Sequence, residues 1–204
     1  MYTRKGAIFC IVVLTLLISF STLKAFAQTF DISVVPSVAT VNLGEQVTFN
    51  VTATGVPSPG LWSYQMKIRY NNTLLNATAA EIPSDHMLKP SSPSGIFIVK
   101  AGDINQTAGT IDFALTLLGD EPGRTGDGTL VTATFQGLAL GSSTISVTDM
   151  ILVDGSVEPS EIPSGSYTID TGTANVIPEF STVALLAVFA IMSAAAVVLK
   201  KKLR

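Results

Sequence analysis

LWSYQMKIRY, residues 61–70, alternates without a break: Trp62, Tyr64, Met66, Ile68 and Tyr70 fall on one side, and Ser63, Gln65, Lys67 and Arg69 on the other. A period of two is the period of a β-strand, and an apolar row opposite a polar row marks a strand with one buried face. The pattern returns along the chain. Val47, Phe49 and Val51 alternate with Thr48, Asn50 and Thr52; Ile111, Phe113, Leu115 and Leu117 form a second row; Val131, Ala133 and Phe135 stand against Thr132 and Thr134. Ile145 and Val147, then Ile151 and Val153, then Tyr167 and Ile169 continue it. Gly, Pro, Asn and Asp fill the gaps, as at Leu43-Gly44-Glu45 and Pro57-Ser58-Pro59-Gly60, where turn geometry favours them. Short strands at this spacing, with no helix-period segment among them, predict an all-β fold over residues 28–170, an antiparallel β-sandwich or jelly roll. Residues 73–95 fit a long loop, a short strand or a helical turn. Trp62, Tyr64 and Tyr70 share the apolar parity, so they are expected to pack in the core rather than to form a platform for sugar rings.

Both ends of the chain are apolar. Arg4 and Lys5 precede the apolar stretch Ala7–Phe20, and Ala25-Phe26-Ala27 fits a signal-peptidase site, so residues 1–27 are expected to be a cleaved signal peptide. Residues 171–180 read as a short linker ending in Pro178-Glu179-Phe180. Residues 181–199 are long enough, at about 1.5 Å per residue, to cross a bilayer as a transmembrane helix. Lys200, Lys201, Lys202 and Arg204 then form a basic cytoplasmic tail. The domain before this tail is expected at the cell surface, outside the membrane. Cys10 is the only cysteine, so cleavage would leave a mature chain without thiols or disulfides.

Removing both ends changes the charge. Residues 28–176 hold fourteen acids against five bases (Lys67, Arg69, Lys89, Lys100 and Arg124), a net charge of −9, whereas the whole chain is −3. No basic footprint for nucleic acid is present. His86, the only histidine, comes after Pro83-Ser84-Asp85 and is expected to be an ordinary exposed residue. One histidine and no thiolate cannot build a His- or Cys-based metal cluster, and no nucleophile elbow or phosphate loop occurs. Glycosidase chemistry would need two of the fourteen acids to converge in space. Asp120, Glu121 and Asp127 crowd one Gly-rich loop and offer oxygen ligands of the kind Ca²⁺ takes, yet match no EF-hand spacing; a solvated acidic turn is the expectation. These features argue against catalysis and against a His- or Cys-based metal site; no cofactor is expected.

Several segments carry a family resemblance: FDISVVPSVATVNLGEQVTFNVTATGV (30–56), LWSYQMKIRYNNTLL (61–75), GTIDFAL (109–115), GDGTLVTATFQGLALGSSTISV (126–147) and DGSVEPSEIPSGSYTI (154–169). Together they resemble a cohesin domain over roughly residues 30–170. The resemblance implies a jelly roll related to carbohydrate-binding modules, no catalysis, and capture of a dockerin module of a partner protein, typically a polysaccharide-degrading enzyme. It also implies contacts from the exposed face of the strand ending at Tyr70. Ser63 and Gln65 stand there in place of the Asn and Asp usual in the family, and Asn71-Asn72 replaces an Asp-Pro. Pro178-Glu179-Phe180, an apolar span and a basic tail resemble the archaeal sorting tail recognised by archaeosortases, which implies an archaeal surface and processing at this tail.

The expected partner surface is the polar row Ser63, Gln65, Lys67 and Arg69, with Thr132 and Thr134 serving a similar surface. Asn50, Asn71, Asn76 and Asn105 head Asn-x-Thr sequons and are candidate glycosylation sites. The residues leave three functions open: a cohesin-like adaptor for a secreted protein, a carbohydrate-binding module holding polysaccharide, and a structural cell-envelope protein.

Overall fold

The computed structural model describes residues 29–92 and 94–179. The expected signal peptide, the transmembrane segment, the basic tail and Phe180 of the sorting motif lie outside these residues. Ten strands carry the described chain: β1 (Phe30–Val35), β2 (Val38–Asn42), β3 (Gln46–Arg69), β4 (Leu75–Glu81), β5 (Ile96–Asn105), β6 (Thr110–Leu117), β7 (Arg124–Gly137), β8 (Gly141–Asp154), β9 (Tyr167–Asp170) and β10 (Gly172–Ile177). A 3₁₀ turn, Ser164–Ser166, precedes β9.

β3 decides the architecture. Its first half pairs with β1 and β7, from Gln46↔Gln136 to Ala53↔Gly128. Its second half pairs with β6 and β8, from Leu61↔Asp154 to Arg69↔Ser146. β7 and β8 are joined by the three residues 138–140, so the two halves of β3 run in opposite directions in two different layers. The reversal is made by Gly55 and Gly60, both at positive φ, around Pro57-Ser58-Pro59. One layer is therefore β9–β1–β3–β7–β4, and the other is β2–β10–β8–β3–β6–β5. The expected β-sandwich is the observed fold.

The alternating rows meet between the layers. Phe49, Tyr64, Met66, Ile68, Phe113, Leu115, Phe135 and Ile145 are all at most 2% exposed, so most of the apolar parity read from the sequence does face the core. Phe135 packs edge-on against Phe49 at 6.1 Å and Tyr70 at 5.0 Å between ring centroids, the favoured aromatic arrangement. Tyr64 donates its buried hydroxyl to the Leu130 carbonyl at 3.0 Å, and burial pushes its phenol above the usual tyrosine range.

Two local readings are corrected and one unread strand is added. Residues 172–177 are not linker: Ala174 and Val176 are buried, and β10 is an interior strand between β2 and β8. Ile96–Asn105 is a strand that shows no clean alternation, because β5 is interrupted by two irregularities against β6. In β8, Leu152 is buried while Ile151 is 42% exposed, the reverse of the expected parity. A bulge between the partners of Gln65 and Lys67 inserts an extra residue, with Asp149 at φ 51°, and one extra residue flips every later side chain.

Candidate protein-binding face

The polar row of β3 lies at the middle of four adjacent strands. Ser63, Gln65, Lys67 and Arg69 stand opposite Thr116, Ala114, Asp112 and Thr110 of β6, and opposite Val153, Ile151, Thr148 and Ser146 of β8. Directly paired residues project to the same side of a sheet. On the far side of β6, β5 places Phe97 beside Thr116 and Lys100 beside Ala114.

At the Arg69 end the outward groups form a chain of alternating charge. Lys67 Nζ lies 3.1 Å from Asp149 and 3.8 Å from Asp112, and Lys100 Nζ lies 3.2 Å from Asp112 and 3.9 Å from Asp103. Arg69 Nη2 approaches Asp149 at 3.8 Å, while its Nε donates to Thr148 Oγ1 at 3.1 Å. These pairs are partly exposed, so each adds little to stability, about 0–1 kcal/mol. Their greater effect is to hold long cationic side chains upright in a fixed register. Asp149 makes two of these contacts from a left-handed backbone conformation, which a non-glycine residue adopts at a cost of about 1 kcal/mol or more. Toward the other end the face becomes apolar, with Phe97 55% and Ile151 42% exposed. Three of the five bases in residues 28–176 stand on this one face of an acidic domain.

Thr132 and Thr134 do not join it. They lie on β7 in the opposite layer, where Thr134 Oγ1 bonds Thr48 Oγ1 and Thr132 donates to Asn50 Oδ1, both at 2.9 Å. The four sequons separate as well. Asn71 and Asn105 are exposed at turns; each side chain accepts from backbone two or three residues on, Thr73 and Ala108. Asn50 and Asn76 are half-buried within strands. Pro178 and Glu179 are exposed directly beyond β10.

The acids of the Asp120–Asp127 loop are drawn apart. Glu121 is held by Arg124 at 2.7 Å and by Ser91, and the Arg124 hydrogen bond keeps its carboxyl below the usual range. Asp127 accepts instead from the Gly55 amide. Among the described residues no three His, Cys, Asp or Glu side chains gather around a point that could hold a metal. Trp62 is half-buried against the core and donates Nε1 to the Glu121 carbonyl at 3.1 Å, so its ring is committed to packing.

His86 is buried, 8% exposed, and its Nδ1 finds no partner among the described residues. The expectation of an exposed residue fails because Leu88 at 0% exposure and the Met87 amide bond to Thr129 draw this loop onto the sandwich. Desolvation, helped by Lys89, lowers its pKa below 6.5. The unfolded chain therefore takes up a proton first as pH falls through about 6.5, and stability declines from there until the folded-state pKa is reached. Thermal melts between pH 7 and pH 5 should show this decline, and His86→Leu should flatten it.

Residues 32–175 match the family model of the cohesin domain. The chain belongs to the cohesin family. Solved structures agree on the fold. The seventh ScaB type I cohesin of Pseudobacteroides cellulosolvens superposes with a TM-score of 0.59 at 14% identity, over 76% of this chain and 96% of that one. The cohesin–dockerin complex Coh-OlpC–Doc435 of Clostridium thermocellum gives 0.57 at 15%, over 74% and 96%. A non-cellulosomal cohesin of the archaeon Archaeoglobus fulgidus gives 0.54 at 13%, over 73% and 91%. No curated protein matches the sequence. Cohesins are non-catalytic binding domains. Within this cohesin, Asp112, Asp149, Lys100, Phe97 and Ile151 join the row read from β3. Only strand order brings them there, although the outward parity of Asp112 was visible between Ile111 and Phe113.

Proposed function

We propose that this cohesin captures a dockerin-like module of a secreted, polysaccharide-degrading protein on the β5–β6–β3–β8 face, and that its C-terminal segment holds it at the cell surface. The observation that carries the reading is the collection of Lys67, Arg69 and Lys100 beside exposed Phe97 and Ile151 on one flat face of a domain with net charge −9. Asp103, Asp112 and Asp149 pair these cations, so the face is near neutral in an acidic domain, and it suits a partner with a rim of complementary alternating charge and an apolar centre, since charge complementarity sets register.

The anchor is read from the chain beyond β10: the Pro178-Glu179-Phe180 motif, an apolar span and a basic tail, with an archaeosortase as the processing enzyme. Signal peptidase removes residues 1–27. Strand geometry supports that removal. Phe30 lies beside Pro57, Gly60 and Asp154, at the opposite end from Ile177, and the 14 residues of β8 span about 45 Å. The nine residues 21–29 reach about 30 Å when fully extended. A retained N-terminal anchor would not return to the same bilayer with the domain standing on its C-terminal end.

A pull-down with residues 28–179, against the secreted proteins and polysaccharides of the source organism, tests the reading. Saturable capture of one protein with a dockerin-like module is expected; Gln65→Ala should weaken it about tenfold, and Thr134→Ala should leave it unchanged. Retention by polysaccharide alone would make the domain a carbohydrate-binding module. Capture of neither would leave a structural envelope protein.

A further inference from the structure

The end of the sandwich from which the chain leaves is unusually apolar. The β2–β3 turn exposes Leu43 at 43%, the β7–β8 turn exposes Leu138 at 49% and Leu140 at 53%, and Ile177 closes β10 at 37%. These residues form one cluster. The Leu43 amide donates to the Ile177 carbonyl, the Gly44 amide to Gly137, and the Leu138 amide to Leu74; the Leu74 side chain in turn lies against Gly141. Turn tips are ordinarily polar, and three leucines at two adjoining tips ask for a covering. The residues next in the chain identify that covering. Only Pro178, Glu179 and Phe180 separate Ile177 from the apolar residues 181–199, so this end stands within about 10 Å of the point where that segment would enter lipid.

We infer that these turn tips are a seat on the bilayer, with Leu43, Leu138 and Leu140 entering its interfacial zone; the inference rests on the anchoring reading above. The recognised chemistry is apolar rather than electrostatic. The two turns hold no cation, and their one acid, Glu45, is bonded to Asn42. The seat is also one-sided. The β5–β6 turn at the same end is polar, its Gln106 and Thr107 carbonyls accepting from Asn72 of the β3–β4 turn and Asn105 standing exposed at its start, so the β2–β10 side goes down and the β5 side is lifted. A surface-held cohesin would thereby keep its β5–β6–β3–β8 face tilted outward rather than free to turn.

The test uses the full chain with Cys10→Ser, carrying Leu138→Cys or Val157→Cys under a bimane label, in phosphatidylcholine vesicles containing a doxyl lipid. Val157, fully exposed beyond the other end of β8, is the control. Quenching at position 138 at least about threefold above that at 157 is the expected result. Vesicle flotation reads the anchor separately. A chain that floats with neither label quenched, or with both quenched alike, overturns the seat and leaves the anchor standing; a chain that does not float overturns both. With the label at Ser142→Cys, adding Leu43→Ser, Leu138→Ser and Leu140→Ser should lower its quenching at least about twofold. Unchanged quenching there would overturn the role given to the leucines.

Discussion

Gly60→Ala is expected to cost this cohesin about 3–5 kcal/mol, because it combines two penalties, a positive-φ backbone and a steric clash with backbone. At φ 94° an L-residue is strained, and the new methyl would lie 2.6 Å from the Gly123 carbonyl carbon and 2.7 Å from the Arg124 amide. Those neighbours are backbone and cannot rotate away. The Gly60 carbonyl also receives the Gly155 amide at 2.9 Å, so three loops meet there without side chains between them. In a domain of this size the loss should appear as a fall in melting temperature of about 10 °C or more. Gly126→Ala supplies the comparison. Its φ is 86° with nothing within 4 Å, so strain acts alone and about 1 kcal/mol should be lost. Equal losses at the two positions would mean that the meeting of the three loops contributes nothing.

Lys67→Glu is expected to abolish partner capture, by about a hundredfold or about 2.7 kcal/mol, while leaving the domain folded. Lys67 is the bridge between Asp112 and Asp149. Reversing its charge places three carboxylates at the middle of the face and removes one of its three cations. The cost to folding should stay near about 1 kcal/mol, because the side chain is at a partly exposed sheet surface. Lys67→Met keeps the alkyl stem and removes only the charge, and should fall between, at about tenfold. Titration of each variant with the captured module, beside its melting curve, separates lost binding from lost fold. Full affinity in Lys67→Glu would place the partner elsewhere on the domain.

The sandwich itself was legible because its strands obey their period. Residues such as Phe49, Tyr64, Phe113 and Phe135 announce burial by alternating with Thr, Gln and Asp. The unread strand and the misread parity both fall where the period breaks. Ile96–Val99 is a continuous apolar run at an edge, where only one neighbour, β6, is paired, so alternation is not imposed. The extra residue at Asp149 exchanges the roles of Ile151 and Leu152, and nothing in the composition of Thr148-Asp149-Met150 signals it. The candidate face was half legible. Ser63, Gln65, Lys67 and Arg69 share one strand, so a period found them. Asp112, Asp149 and Lys100 are brought beside Lys67 only by strand order, which is a long-range property. Thr132 and Thr134 had the right parity for an exposed face and lie in the other layer. His86 reads as a polar loop residue until the packing of Met87 and Leu88 is seen.

The place of β10 governs when the domain can form. Residues 172–177 are the last of the sandwich, yet they lie inside a sheet, between β2 from the start of the chain and β8 from near its end. β2 has no other strand partner among the described residues, so its sheet hydrogen bonds wait for the last strand. A chain emerging N-terminus first cannot close this layer until Ile177 is out. Closure then joins segments more than a hundred residues apart, the kind of contact that makes β-rich domains slow to fold. Synthesis of the adjoining apolar segment and completion of the fold are therefore nearly simultaneous events. A fragment stopped at residue 170 would lack an internal strand rather than a tail.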